Sequence, residues 1–164
     1  MKKINELIEF LSKHDITCEP HEHEPVYTVE DARRLVPKLP GVHTKNLFVR
    51  DSKGRRHLLI VTASDKRVNL ARLAAMLGLS RLSFASPERL RRYLAVEPGA
   101  VSIFGLVHDR NHEVELVVDN TVWASDLFQL HPLVNTSTVV ISKTALERFL
   151  KATGHEAKRI DVPE

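Results

Sequence analysis

Gly41-Val42-His43-Thr44-Lys45-Asn46-Leu47-Phe48-Val49-Arg50-Asp51 is the segment on which the fold turns. From Asn46 onward it alternates as a strand does, with Leu47 and Val49 on one face and Asn46, Phe48 and Arg50 on the other. Asp51-Ser52-Lys53-Gly54 supplies turn residues, and His57-Leu58-Leu59-Ile60-Val61 returns as a second, apolar strand, so a hairpin is predicted. Lys45 stands at the mouth of this hairpin, between Thr44 and Asn46. Two short hydrogen-bonding side chains can hold a lysine where a substrate phosphate or carbonyl would sit. The other reading is a solvated lysine that blunts an exposed strand edge.

Upstream, Lys3 to Lys13 places Ile4, Leu7, Ile8 and Leu11 on one helical face. Thr17 to Glu24 reads as an irregular or edge strand, and His21 and His23 share a face there. No third ligand stands at a metal-binding spacing, so no metal site is expected. Thr28, with Asp31 three residues on, resembles a capping box that opens a short helix through Leu35. Downstream of the hairpin, Asn69 and Ser86-Pro87-Glu88 are helix starts, and Leu82 to Ala85 is a short strand between them. Gly99 to Leu106 reads as a loop entering a strand. Glu113 to Val118 and Thr136 to Ile141 read as further strands, and Ser142 caps a last helix. Strands and helices mix without strict βαβ alternation, which predicts one α/β domain over residues 1–164 with a mixed sheet and flanking helices.

A chain of 164 residues that is 43% hydrophobic and 27% charged suits one soluble globular domain, long enough to bury most of its apolar surface on folding. No apolar run approaches the length of a membrane span, and Met1-Lys2-Lys3 leads into an amphipathic helix instead of a signal peptide. Cys18 is alone, so no internal disulfide forms, and a cytoplasmic protein is expected. The net charge of +3 conceals an asymmetry: Thr28 to Arg92 holds fifteen Lys/Arg against five Asp/Glu. Such a basic half is what a polyanion-binding surface requires, unless the charges lie on separate solvated faces.

Three segments carry a resemblance. Thr44-Lys45-Asn46-Leu47-Phe48-Val49-Arg50-Asp51, Pro98-Gly99-Ala100-Val101-Ser102-Ile103-Phe104-Gly105-Leu106 and His131-Pro132-Leu133-Val134-Asn135-Thr136 are similar, in order and spacing, to the motifs of the YbaK / prolyl-tRNA synthetase-associated domain family. The resemblance runs from about Pro25 to Phe149 and is nearest to the free-standing editing proteins that act on Ala-tRNA(Pro). It implies a compact α/β domain around a largely antiparallel, barrel-like sheet. It also implies a deacylase that hydrolyses mischarged Ala-tRNA(Pro) without a cofactor. Its partner would be tRNA, through the mischarged acceptor end, with prolyl-tRNA synthetase left open as a second one; neither DNA nor a membrane is expected. The alternatives are a deacylase for another small aminoacyl group, serine or threonine, and a tRNA-binding regulatory module without catalysis.

The resemblance also assigns roles. Lys45 would hold the terminal adenosine phosphate or the ester carbonyl. Gly99 matches the glycine of the family's Gly-x-x-x-Pro loop, where bare backbone N–H groups approach substrate and water. His131 would limit pocket size or orient the α-amino group. Thr44, Asn46, Ser102 and Ile103 complete the set expected at the substrate. Ile103 stands where the family has proline, which leaves loop stiffness and pocket shape open. As a β-branched residue beginning a strand, it is expected to pack inward. No Ser-His-Asp arrangement is evident and Cys18 lies outside all three motifs, so direct attack by water is expected, without a covalent intermediate.

Overall fold

The computed structural model describes residues 2–164; Met1, which the sequence reading set ahead of the first helix, lies outside them. Helix α1 (Lys2–Lys13) buries Leu7 and Leu11 and leads to the short strand β1 (Glu19–Glu22). Helix α2 (Val29–Leu35) starts at Thr28, whose Oγ1 accepts the Asp31 N–H at 3.0 Å. The hairpin is β2 (Val42–Asp51) and β3 (His57–Ala63). Helix α3 (Leu70–Met76), β4 (Leu82–Phe84) and α4 (Pro87–Leu94) follow, with Asn69 and Ser86 capping the two helices. A 3₁₀ helix spans Ile103–His108. Then come β5 (Val114–Asp119), a helical turn α5 (Asn120–Trp123), β6 (Leu127–Leu130), β7 (Ser137–Ser142), α6 (Lys143–Thr153) and β8 (Ala157–Ile160).

These strands form one mixed eight-stranded sheet in the order β1-β7-β6-β2-β3-β5-β8, with β4 added against the far end of β2. The pairs β1–β7, β6–β7, β2–β3 and β2–β4 are antiparallel; β2–β6, β3–β5 and β5–β8 are parallel. Strands β1 and β8 are its two ends. The domain is thus α/β with helices flanking a mixed sheet.

Strand β3 explains why its sequence is apolar without alternation. Leu59 and Val61 join the larger core cluster with Phe48, Phe104, Phe128 and Phe149, whereas Leu58 and Ile60 join Val49, Leu73 and Val117 in the smaller one. Successive residues point to opposite faces, and here both faces are covered.

Three readings change. Strand β2 begins at Val42 and not Asn46, so Lys45 lies within the strand. The segment after Gly99 enters a 3₁₀ helix and not a strand, because the Ser102 hydroxyl accepts the Phe104 N–H at 3.2 Å and Gly105 N–H bonds Ser102 C=O at 2.9 Å. Strand β8 was not foreseen.

Candidate active site

Strand β2 has β3 along one edge. Its other edge is paired only at its ends, by β6 at Val42 and His43 and by β4 from Val49 to Asp51. His43 C=O accepts from Ser64 on the β3 side, and Phe48 C=O accepts from Ala85 on the other. By strand alternation Asn46 therefore turns its N–H and C=O toward the unpaired stretch of edge. A cleft of about 330 Å³ opens there and is lined by His43, Thr44, Lys45 and Asn46 from β2, with Ser64 just beyond β3. Gly99, Val101 and His131 come from loops, and Val26 to Val29 with Ala32 form the remaining wall.

The approach to β2 is tightly fixed. Gly41 has φ of +92°, and a Cβ there would stand 2.7 Å from Leu127 C=O, so only glycine fits. Gln129 Nε2 donates to Leu39 C=O at 2.9 Å, and Thr44 Oγ1 donates to Gln129 C=O at 2.7 Å. Thr44 lines the cleft, but its hydroxyl proton is committed to binding β2 to β6.

Lys45 is half-buried. Burial lowers its pKa, the Asp65 carboxylate opposes that by favouring the ammonium, and Arg67 adds to the lowering. Asn46 Oδ1 is buried with no hydrogen-bond partner among the described residues. An orphaned acceptor of this kind costs about 1–3 kcal/mol unless something fills its place. His131 Nδ1 lies 3.2 Å from Ser137 C=O. A carbonyl only accepts, so Nδ1 carries the proton and the neutral ring keeps Nε2 as an acceptor. Burial, followed by His23, holds the His131 pKa below its usual range, against the raising effect of that hydrogen bond. His43 is lowered in the same way, by burial and then by His131 and Arg33. Gly99 has φ of +89°, which favours glycine, although a Cβ there would meet only ordinary contacts.

Two expected site residues lie elsewhere. Ser102 is fully buried and spends its hydroxyl on capping the 3₁₀ helix; it is absent from the cleft lining. Ile103 is 1% exposed and packs in the larger core cluster, so it faces the core and not substrate. His21 lies on edge strand β1, and His23 spends its ring nitrogens on Glu24 C=O and Thr138 Oγ1, both at 2.8 Å. Cys18 lines a separate, apolar groove beneath α1, and burial raises its pKa, keeping it a thiol. Sequence reasoning passed over His43, Tyr27 and Ser64. His43 is recognisable once β2 is seen to begin at Val42: two residues from Lys45 in the strand, it shares that residue's face.

The aminoacyl-tRNA editing domain, compared as a family profile, matches residues 23–149. The chain is 41% identical over 141 residues to the prolyl-tRNA editing protein ProX of Acetoanaerobium sticklandii, covering 86% of each chain. It is 36% identical over 152 residues to the prolyl-tRNA synthetase associated domain-containing protein 1 of Danio rerio, covering 92% of this chain and 82% of that one. Among solved structures it is similar to a candidate trans-editing enzyme for prolyl tRNA synthetase. The TM-score is 0.73 at 17% identity, with 100% of this chain and 98% of that one covered, a likeness of fold.

Proposed function

The chain belongs to the aminoacyl-tRNA editing domain family, and from that premise we propose that it edits in trans, hydrolysing the ester that joins alanine to mischarged tRNA(Pro). The observation that carries this reading is convergence: Lys45, Gly99 and His131, from three separate segments, line one cleft beside the unpartnered Asn46 oxygen.

In the reaction water adds to the ester carbonyl carbon, and the terminal ribose oxygen leaves with a proton. Negative charge builds on the carbonyl oxygen, and a cation or N–H group already in place stabilises it without reorganising. Lys45 supplies that cation, placed on the carbonyl or on the adjoining phosphate. Asn46 Oδ1 and the free Nε2 of His131 are acceptors, matched to the α-ammonium that every aminoacyl ester carries. The left-handed backbone at Gly99 brings main-chain groups to the cleft without a side chain in the way.

Selection by a second site has a physical reason. A proline pocket cannot exclude a smaller amino acid by sterics, since each missing methylene is worth only about 1–3 kcal/mol. A cleft too tight for proline but open to alanine supplies the missing discrimination. The acceptor end of tRNA is the substrate in this reading, and prolyl-tRNA synthetase is the natural docking partner.

The test is a panel of tRNAs charged with alanine, serine, threonine or proline, each followed for loss of the amino acid. Alanine should leave tRNA(Pro) fastest and cognate proline should stay. Faster removal of serine or threonine would move the assignment to another small aminoacyl group; release of none would overturn it.

A further inference from the structure

Tyr27 is 72% exposed, an unusual setting for an aromatic ring, yet the backbone that bears it is fixed. Val26, just before it, is buried; its N–H donates to Asn135 C=O at 3.0 Å, and Asn135 Nδ2 donates back to Val26 C=O at 3.3 Å. Tyr27 N–H donates to Asp31 Oδ2 at 3.2 Å, and Thr28 caps α2. The root of the ring is pinned while the ring itself is left to solvent. Such an arrangement lowers the entropy lost when a planar ligand settles on it.

The ring stands on the cleft. A Cβ built at Gly99 would meet Tyr27 Cδ1 at 3.8 Å, so the ring stands against Gly99 in the same cleft that Lys45 and Asn46 line. Arg33 bears electrostatically on His43 and Arg67 on Lys45, which brings positive charge to the cleft. A planar apolar face, flanking cations and a buried acceptor within make up the chemistry that single-stranded RNA ends require. Bases stack on aromatic rings irrespective of sequence, and phosphates take the cations.

Resting on the deacylase reading above, we propose that Tyr27 is a stacking platform for the terminal base of the RNA 3′ end, seating the esterified sugar between its ring and Lys45. Tyr27 is then a positioning residue. It anchors the nucleoside so that the ester reaches the strand, and its phenol hydroxyl takes no part.

The probe is an uncharged RNA hairpin ending in CCA, made with and without the terminal base, with binding read by fluorescence anisotropy. Tyr27→Ala should weaken binding of the intact hairpin about tenfold, the stacking contribution expected of one base. Tyr27→Phe should bind as the wild type does. Removing the terminal base should cost the wild type the same factor and cost Tyr27→Ala nothing more. In turnover, Tyr27→Ala should raise KM and leave kcat close to wild type. Equal weakening of both hairpins by Tyr27→Ala, no weakening of either, or a loss in Tyr27→Phe matching that in Tyr27→Ala would overturn the platform. A wild type that binds neither hairpin would overturn it as well. Base-dependent binding by a wild type that releases no amino acid would leave the platform standing and overturn only the deacylase reading.

Discussion

In the proposed reaction Lys45 is the residue on which hydrolysis depends, and its surroundings make its charge testable. Lys45→Ala should abolish deacylation and barely move the thermal melt, because a half-buried lysine with no ion pair among the described residues contributes little to the core. Its protonation gives a finer measurement. Activity that needs the ammonium falls as pH rises through the Lys45 pKa, so the alkaline limb of the rate profile, after subtraction of uncatalysed ester hydrolysis, reports that group. Asp65 raises this pKa and Arg67 lowers it. Asp65→Asn should therefore move the limb to lower pH, and Arg67→Ala should move it to higher pH; a limb indifferent to both would show that another group titrates. The residues alone left a solvated edge lysine open at Lys45, and the Thr44 hydroxyl is spent on Gln129 C=O; through the family resemblance Lys45 was legible as a site candidate. His43 was not, because the strand was begun at Asn46; the residues that extend it back to Val42 are paired by β6, a contact from far along the chain.

At the scale of elements, local chemistry was readable and distant chemistry was not. Thr28, Asn69, Ser86 and Ser142 were each expected to open a helix, and each accepts the N–H three residues on. That bond depends only on neighbouring residues. Strand β8 offers no such signal: Ala157-Lys158-Arg159-Ile160 has no buried residue and exists through parallel pairing with β5. The 3₁₀ helix at Ile103 is the instructive case. Its apolar run reads as a strand, yet Ile103 packs inward as its β-branched side chain suggests, because burial depends on apolarity whichever element delivers it. This bears on the departure from the family's proline. Ser102, with φ of −151° and ψ of 150°, already has the extended backbone required before proline, and the first helical position tolerates one. Ile103→Pro should therefore fold, losing about 1 kcal/mol for the methylene removed from the core. The order of preference among Ala-, Ser- and Thr-tRNA should not change, because the side chain does not reach the cleft. A reversal of that order, measured side by side, would show that this residue sets specificity.

For the whole molecule the question is whether the basic half forms a surface. Four of its fifteen cations are in ion pairs: Arg34 with Asp31, Arg56 with Glu115, Lys66 with Asp119 and Arg91 with Glu97. Three of those acids come from outside the basic half, so part of the asymmetry ties the two halves together. Lys66–Asp119 is the buried one, at 2.7 Å, and it anchors the loop that carries Asp65 and Arg67 beside Lys45. Eleven cations remain against four acids in this half, a surplus of +7. Arg33 and Arg67 act on cleft residues, which sets part of that surplus beside the proposed path of the RNA. Binding of tRNA should then release counterions. With about four phosphate contacts, affinity should fall about a hundredfold between roughly 50 and 200 mM salt. Arg33→Ala and Arg67→Ala should each weaken binding and flatten the log–log salt slope by about one. Arg159→Ala should leave the slope unchanged, because Arg159 lies on β8, three strands from β2 along the sheet, with its guanidinium 5.6 Å from the Trp123 ring centre. A slope lowered equally by all three substitutions would mean that the molecule's overall charge attracts RNA without a defined path. A slope changed by none would move the RNA away from this half, and with it the approach to Lys45.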